Sequence, residues 1–154
     1  MTVNNRVPVE AEPVGGMKSY GVLAWLRLAR VFAKLERRSQ EQLRPSGLSD
    51  AQFDVLAQVG AHEGCTQQAL AKHLLVTKGN VTQILDRMEE AGLITRRVEG
   101  RTKRVCLTDA GRALRDQVIP RHEAHMAAQF ESLTGSEQRQ LLRLLRTLDR
   151  ALEE

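Results

Sequence analysis

Long polar side chains recur along one face of a segment between Thr77 and Gly92. They are Lys78, Asn80, Gln83 and Arg87. Amide and cationic groups of this kind pair with base edges and phosphates in the major groove of duplex DNA. The opposite face is apolar at positions i, i+3, i+4 and i+7, namely Val81, Ile84, Leu85 and Met88. This spacing predicts an amphipathic helix, and its polar face predicts that the helix reads DNA.

A basic pair of β-prone runs follows that helix. Residues 94–98 and 104–107 are joined by a turn in which Gly100 supplies backbone freedom, so the pattern predicts a β-hairpin. Its basic side chains are Arg96, Arg97, Arg101, Lys103 and Arg104. In an isolated hairpin these charges could form only a solvated surface. Beside a reading helix they favour a wing that contacts phosphates or enters the minor groove.

A second short helix is predicted just before the reading helix. Thr66 is its expected N-cap, and its apolar face is formed by Ala69, Leu70, Ala71 and Leu74. Backbone N–H groups at its N-terminus can bind a phosphate, and Thr77 is the expected N-cap of the reading helix. The full set of residues predicted to bind DNA is Thr66, Gln67, Thr77, Lys78, Gly79, Asn80, Thr82, Gln83, Arg87, Arg96, Arg97, Arg101 and Lys103.

Long helical patterns flank this central region. The first covers about 17–44 and is closed by Pro45 and Gly47. Its apolar residues occupy more than one stripe, which requires burial on more than one side. A short helix then begins at Ser49, with a capping box to Gln52.

Two further helices are predicted after the hairpin. Thr108 caps the first, and Pro120 is expected to kink it or divide it in two. Thr134 and Glu137 form a capping box that starts the last helix. The apolar stripe of that helix is Leu141, Leu144, Leu145, Leu148 and Leu152, and its wet side carries Arg139, Arg143, Arg146 and Arg150.

The predicted fold class is mainly α with a small β-hairpin wing, as a winged helix-turn-helix with dimerisation helices at both ends. A flexible arm is expected over 1–16 and one domain over 17–154. Within that domain, 17–47 and 109–154 are the dimerisation helices and 48–108 is the DNA-binding region. The terminal apolar stripes have no evident role in a small reading head, so we expect them to pack against each other and a second copy. A two-fold dimer would space two reading helices roughly 34 Å apart.

Composition agrees with a mainly helical, DNA-associated chain. Of the 154 residues 42% are hydrophobic but only 3% aromatic, so the core must consist mainly of Leu, Val, Ile and Ala. The net charge of +4 points weakly to a polyanionic partner. Two cysteines without a CxxC motif suggest reduced thiols. No apolar run approaches the roughly 18 residues of a spanning helix and no signal peptide is evident, so a cytoplasmic protein without a membrane partner is expected.

Other function classes find less support in the residues. Catalysis would need a motif such as GxSxG, HExxH or GxxxxGK[ST], and none occurs, so no enzyme and no cofactor is expected. A metal-responsive regulator is an alternative because His122 and His125 share a helix face and Cys65 follows His62 by three residues, although lone pairs of this kind are more often solvated surface residues. A redox switch is another alternative, because Cys65 and Cys106 could come near each other in a three-stranded sheet. Alternation is expected to turn Cys106 outward, however, and a Cys65 that points inward would then lie on the other face. A winged-helix protein-interaction module would not need the donor row together with a basic hairpin.

The ordered motifs TQQALAKHL, GNVTQILDRMEEAGLITR and EGRTKRVCLTDAG resemble the MarR family of winged helix-turn-helix regulators. The resemblance covers about Met17 to the C-terminus. Glu99 and Arg101 match the wing-tip Asp-x-Arg of that family, which implies that Arg101 is the minor-groove arginine and that the acid orients it. Peroxide-sensing relatives carry a cysteine in the first long helix, whereas no cysteine precedes Cys65 in this chain.

The resemblance also implies how the protein works. Members are homodimers on pseudo-palindromic operators, usually repress, and are released by a small phenolic or aromatic carboxylate effector near the junction of the dimerisation and reading regions. No cofactor or metal is implied. By resemblance, the residues expected to line an effector pocket are Trp25, Arg27, Phe32, Phe53 and Arg115.

Overall fold

The computed structural model describes residues 19–74 and 78–153, with Lys78 and Gly79 described by their backbone alone. The chain divides into two compact units, with the boundary between Lys34 and Leu35. The expected N-terminal arm and the expected N-cap Thr77 lie outside the described residues.

The longest helix, α1, covers Tyr20–Leu43 and is followed by a short 3₁₀ turn over Arg44–Ser46. Its first part, up to Lys34, belongs to the first unit and exposes large apolar side chains. These are Val22, Leu23, Trp25, Leu28, Val31 and Phe32. In the second unit the helix buries Ser39 and Leu43. The uncovered apolar side chains leave the first part of α1 without the burial that its sequence requires.

The second unit carries the remaining elements. The helices are α2 (Asp50–Ala61), α3 (Gln67–His73), α4 (Lys78–Glu90), α5 (Asp109–Ala128) and α6 (Gly135–Leu152). The strands are β1 (Cys65–Thr66), β2 (Ile94–Glu99) and β3 (Thr102–Leu107). This order, helix, helix, then strand pair, is that of a winged helix-turn-helix, as the sequence predicted. Among the described helices none is long and apolar enough to cross a membrane.

The three strands form one antiparallel sheet in the order β1-β3-β2. The predicted hairpin is confirmed, and β1 adds a short third strand in which Cys65 pairs with Val105. Both hairpin strands are longer than predicted, because Glu99 pairs with Thr102 and leaves a turn of only Gly100 and Arg101. Gly100 has a φ of +61°, as the first central residue of a type II′ turn requires.

The core of the second unit lies between the short helices and the inner face of the sheet. Its fully buried side chains, all 0–1% exposed, are Leu43, Val55, Leu56, Val59, Leu70, Val81, Leu85, Met88, Ile94 and Val105. Val81, Leu85 and Met88 belong to the predicted apolar face of α4, so that face is confirmed. Burial of this stripe fixes which side of α4 meets solvent.

Helix ends in the second unit follow local sequence signals. The capping boxes at Ser49 and Thr134 are both present, and Thr66 and Thr108 accept from the backbone N–H groups of Ala69 and Gly111. After α4 the N–H of Leu93 donates to Met88 O at 2.9 Å and that of Gly92 to Glu89 O at 2.9 Å. Gly92 has a φ of +73°, which completes a Schellman C-cap.

Pro120 does not divide α5. The helix is continuous from Asp109 to Ala128, so of the two expected outcomes the division into segments is wrong, and the kink stays a prediction. Pro120 is exposed, and water can therefore satisfy the carbonyl that loses its helical partner.

Candidate nucleic-acid interface

The polar face of α4 is open to solvent. Asn80, Thr82, Gln83 and Arg87 are all exposed, while Val81 and Leu85 on the other side are buried. The side chain of Lys78, also predicted to bind DNA, lies outside the described part of the chain. The described part of α4 therefore presents amides and a guanidinium together, which can pair with base edges or phosphates.

The start of α3 and the tip of the hairpin line one cleft of about 490 Å³. On one side are Thr66, the N-cap of α3, and Gln67 and Gln68 from its first turn, and on the other are Arg101 and Lys103 of the hairpin. Gln67 Nε2 donates to Thr82 Oγ1 at 3.3 Å and so links α3 to α4. Most of these residues were predictable from the sequence as separate DNA contacts, but nothing in the sequence indicated that the two regions line one cleft. Cationic side chains facing a helix start suit an anionic group.

At the hairpin tip Arg101 is exposed, as are Arg97 and Lys103. Glu99, expected to orient Arg101, instead accepts from Nε of Arg104 at 2.5 Å. Nη1 of Arg104 also donates to Gly64 O at 2.9 Å. Arg104 therefore joins the two hairpin strands to the segment before β1, whereas Arg101 projects from the turn.

Arg96 differs from the other basic residues of the hairpin in that its side chain is paired with carboxylates of α4. Its Nη2 donates to Asp86 Oδ1 at 2.6 Å and to Glu89 Oε2 at 2.7 Å, and its Nε donates to Glu89 Oε2 at 3.1 Å. The backbone N–H of Arg96 donates to Glu89 Oε1 at 3.0 Å. These bonds raise the pKa of Arg96 and lower that of Glu89, with the Arg96–Glu89 hydrogen bond as the main cause in both. Sequence reasoning treated Arg96 as a DNA contact and missed this network, because its acceptors come from α4.

Residues 46–105 match a model of the MarR family. An uncharacterized HTH-type transcriptional regulator of Bacillus cereus is 35% identical over 127 residues, which cover 82% of this chain and 86% of that protein. The chain belongs to the MarR family of helix-turn-helix transcriptional regulators. The resemblance inferred from its three motifs is thereby confirmed.

Other relatives extend the comparison. The HTH-type transcriptional repressor MdtR of Bacillus subtilis (strain 168) is 30% identical over 131 residues, covering 83% of this chain and 84% of MdtR. A MarR family protein of Mycobacterium tuberculosis, solved in complex with salicylic acid, is 29% identical with a TM-score of 0.65, covering 88% of this chain and 99% of that one. The S. aureus MepR–DNA complex is similar in fold, with a TM-score of 0.75, 23% identity, and coverage of 88% of this chain and 99% of MepR.

The residues expected around an effector belong to both units of this MarR-family chain. Trp25, Arg27 and Phe32 are in the first unit, where Trp25 is 65% and Phe32 58% exposed. Phe53 and Arg115 are in the second. Arg115 is bonded to Asp116 Oδ1 through Nε at 2.8 Å and through Nη2 at 2.7 Å. The guanidinium of Arg115 therefore already has a carboxylate partner.

His122 is buried and only 9% exposed, so the expectation of a solvated surface histidine is wrong for it. Its Nδ1 is 2.8 Å from Gln42 Oε1, and its ring centroid is 4.2 Å from that of Phe53. Burial lowers the pKa of His122, His125 lowers it further, and Asp50 and Glu123 partly oppose these effects. The sequence pattern of α5 does not indicate that His122 is buried, since the side chains that cover it come from α1 and α2.

The described residues contain no cluster of side chains suited to bind a metal ion. No group of three or more His, Cys, Asp or Glu side chains there could hold a metal ion. His62 and His73 lie with ring centroids 5.9 Å apart and nearly parallel planes.

The two cysteines are free thiols in the sheet. Cys65 pairs with Val105 and packs against the core, while Cys106 is the next residue along β3 and pairs with Thr95. Alternation thus sets the two side chains on opposite faces, as expected from the sequence. Burial raises the pKa of Cys65, a backbone hydrogen bond partly offsets this, and Cys106 adds to the rise. A protonated thiol is a poor nucleophile.

Proposed function

We propose that this MarR-family regulator is a homodimer that binds duplex DNA sequence-specifically on a pseudo-palindromic operator. It acts as a ligand-responsive repressor. It works in the cytoplasm and is associated with the nucleoid when it is bound to DNA. The observation that carries the proposal is the exposed polar face of α4 beside the cleft that joins α3 to a basic wing tip. Specific readout needs base-edge donors next to phosphate-binding cations, and this surface supplies both.

Each part of the surface has a distinct proposed role. Asn80 and Gln83 read base edges from α4, because amides can donate and accept at once. Arg87 reaches phosphate or guanine. Thr66 and Gln67, with Arg97 and Lys103, contact the phosphate backbone of DNA on the wing side, and Arg101 also reaches into the minor groove. Thr77, Lys78, Gly79 and Thr82 complete the predicted contacts.

The dimer is supported by apolar side chains that one chain leaves uncovered. No residue of α6 is buried, and Leu144 and Leu148 are 57% and 48% exposed. The first part of α1 exposes Trp25 and Phe32 in the same way. Exposed apolar stripes of this length are typical of a protein interface, and a two-fold partner covers both copies of each.

The effector remains a phenolic or aromatic carboxylate in this proposal. The salicylic acid complex of the Mycobacterium tuberculosis relative supports that class. Trp25, Arg27, Phe32, Phe53 and Arg115 keep their proposed place around it. Since Arg115 is paired with Asp116, an incoming carboxylate at Arg115 would have to compete with that acid. A rise in melting temperature and a loss of operator affinity on adding salicylate are the expected results, and no change in either would contradict this part.

Selection of duplexes from a randomised DNA library tests DNA binding directly. The full chain should enrich one inverted-repeat sequence whose half-sites are separated by about one helical turn. Footprinting on the region upstream of its own gene should then protect a matching sequence. No enrichment at low salt would contradict the proposed function, and enrichment of a single unrepeated half-site would contradict the dimer alone.

A further inference from the structure

We propose that Arg96 is a positioning residue, which fixes the wing relative to the reading helix through Asp86 and Glu89 and does not itself contact DNA. This inference rests on the proposed DNA-binding function, because position matters only if the wing and α4 engage one duplex together.

The geometry joins the end of one element to the beginning of the next. Asp86 and Glu89 are three residues apart on α4 and therefore share a face, and Arg96 is the third residue of β2. The Glu89 carboxylate accepts from both the side chain and the backbone N–H of Arg96. Side chain and main chain of β2 are thus both attached to the last turn of α4.

Burial and charge argue against a DNA contact by the same residue. The Arg96 side chain is 15% exposed, whereas those of Asp86 and Glu89 are 49% and 40% exposed. A DNA phosphate that approaches the Arg96 guanidinium would meet the carboxylates of Asp86 and Glu89, which already bind that guanidinium. Like-charge repulsion at such distances is unfavourable, so Arg97, Arg101 and Lys103 are better placed to meet the backbone of DNA.

Because Arg96 lies near the base of the wing, a small change in the angle of the strand at Arg96 moves the tip by a larger distance. Arg101 is five positions further along the chain, a distance of about 17 Å at roughly 3.4 Å per residue. A tilt of about 10° at Arg96 would therefore displace the tip by about 3 Å, as much as the full length of a hydrogen bond. Loss of the network should weaken operator binding although no residue that contacts DNA has been replaced.

The double variant Asp86→Asn/Glu89→Gln separates positioning from contact. It leaves Arg96 in place and removes two negative charges beside the DNA, so simple electrostatics predicts tighter binding. If Arg96 positions the wing, affinity for the duplex selected by the wild-type chain should instead fall about tenfold, since hydrogen bonds to charged groups are among the stronger ones. The slope of log affinity against log salt should become shallower, because a displaced wing tip loses phosphate contacts. Glu90→Gln, on the neighbouring exposed carboxylate, is the matched control and should not weaken binding.

Equal or tighter binding by the double variant, or a salt slope that does not become shallower, would overturn the positioning role. If the double variant does not fold by circular dichroism, Glu89→Gln alone and Arg96→Lys are measured against the same two criteria. Arg96→Lys keeps the charge but loses the fork of donors, so weaker binding with a shallower slope is expected for it too, whereas a direct phosphate contact by residue 96 would leave the slope unchanged. Failure of the wild-type chain to bind any duplex would instead contradict the proposed function, which keeps the two failures distinct.

Discussion

The Cα of Gly111 lies against the carbonyl of Leu93, since a Cβ built on Gly111 would be 2.0 Å from Leu93 O. The same carbonyl accepts from the N–H of Thr108 at 3.0 Å. The start of α5 is thereby seated on the turn that ends α4 and begins β2.

Gly111→Ala should therefore lower the free energy of unfolding. The methyl group meets backbone atoms, which cannot rotate away, so a cost of about 1–3 kcal/mol is expected for overpacking. Gly135→Ala is the control, because a Cβ there would be 3.5 Å from the flexible Arg139 Nη1. Denaturant unfolding of both variants measures the difference, and equal midpoints would contradict the close approach.

Local signals in the sequence predicted most of the helix ends. Ser49, Thr66, Thr108 and Thr134 cap helices through residues at most three positions away, so their roles could be read without knowing the fold. The exposed face of α4 was predictable for a similar reason, since periodicity fixes which side is apolar.

Partners distant in sequence were not predictable in the same way. His122 is buried by Gln42 and Phe53, about 80 and 69 positions away, and its own segment gives no hint of them. Arg96 and Arg104 looked alike as basic hairpin residues, and only tertiary packing distinguishes them from Arg101. At Pro120, in contrast, a local signal predicted an interruption that the fold does not show. One missing hydrogen bond did not end a helix that is held along its length.

A charge on the leucine stripe of α6 should disrupt the proposed dimer. Leu148→Glu would bury a carboxylate in the interface at a cost of several kcal/mol, so sedimentation at micromolar concentration should give a monomer. Arg143→Glu introduces the same residue on the opposite face of α6 and should remain a dimer. A dimeric Leu148→Glu variant would show that this stripe is not in the interface.

Acidification should destabilise the fold through His122. Its pKa in the folded chain is below the ordinary value of 6.5 because the ring is buried. The unfolded chain then binds the proton more readily, so the free energy of unfolding should decrease as pH falls through about 6.5, until the folded pKa is passed. Denaturant unfolding of the wild-type chain and His122→Gln at pH about 7.5 and 5.5 compares the two. The drop should be smaller in His122→Gln, while the exposed His73→Gln control should behave like wild type. An equal drop in all three would contradict this assignment.

Cys65 should react slowly while the chain is folded. Burial raises its thiol pKa, which lowers the thiolate fraction at neutral pH. In a Cys106→Ser variant, in which Cys65 is the remaining cysteine, alkylation by iodoacetamide should be several-fold slower in buffer than in denaturant. Rapid labelling of the folded variant, accompanied by a change in DNA affinity, would favour the redox-responsive alternative.

The most direct test of DNA binding by this surface is the affinity of Arg101→Ala for the selected duplex across a series of salt concentrations. Arg101 projects from a two-residue turn and lines the cleft with Gln67 and Lys103. Its loss should weaken binding about tenfold and reduce the salt slope by about 0.9, the value for one phosphate contact. Arg143→Ala, which removes an equal charge from α6, should leave both quantities at wild-type values. Unchanged affinity and slope in Arg101→Ala would contradict the proposal that the wing and α4 together bind DNA.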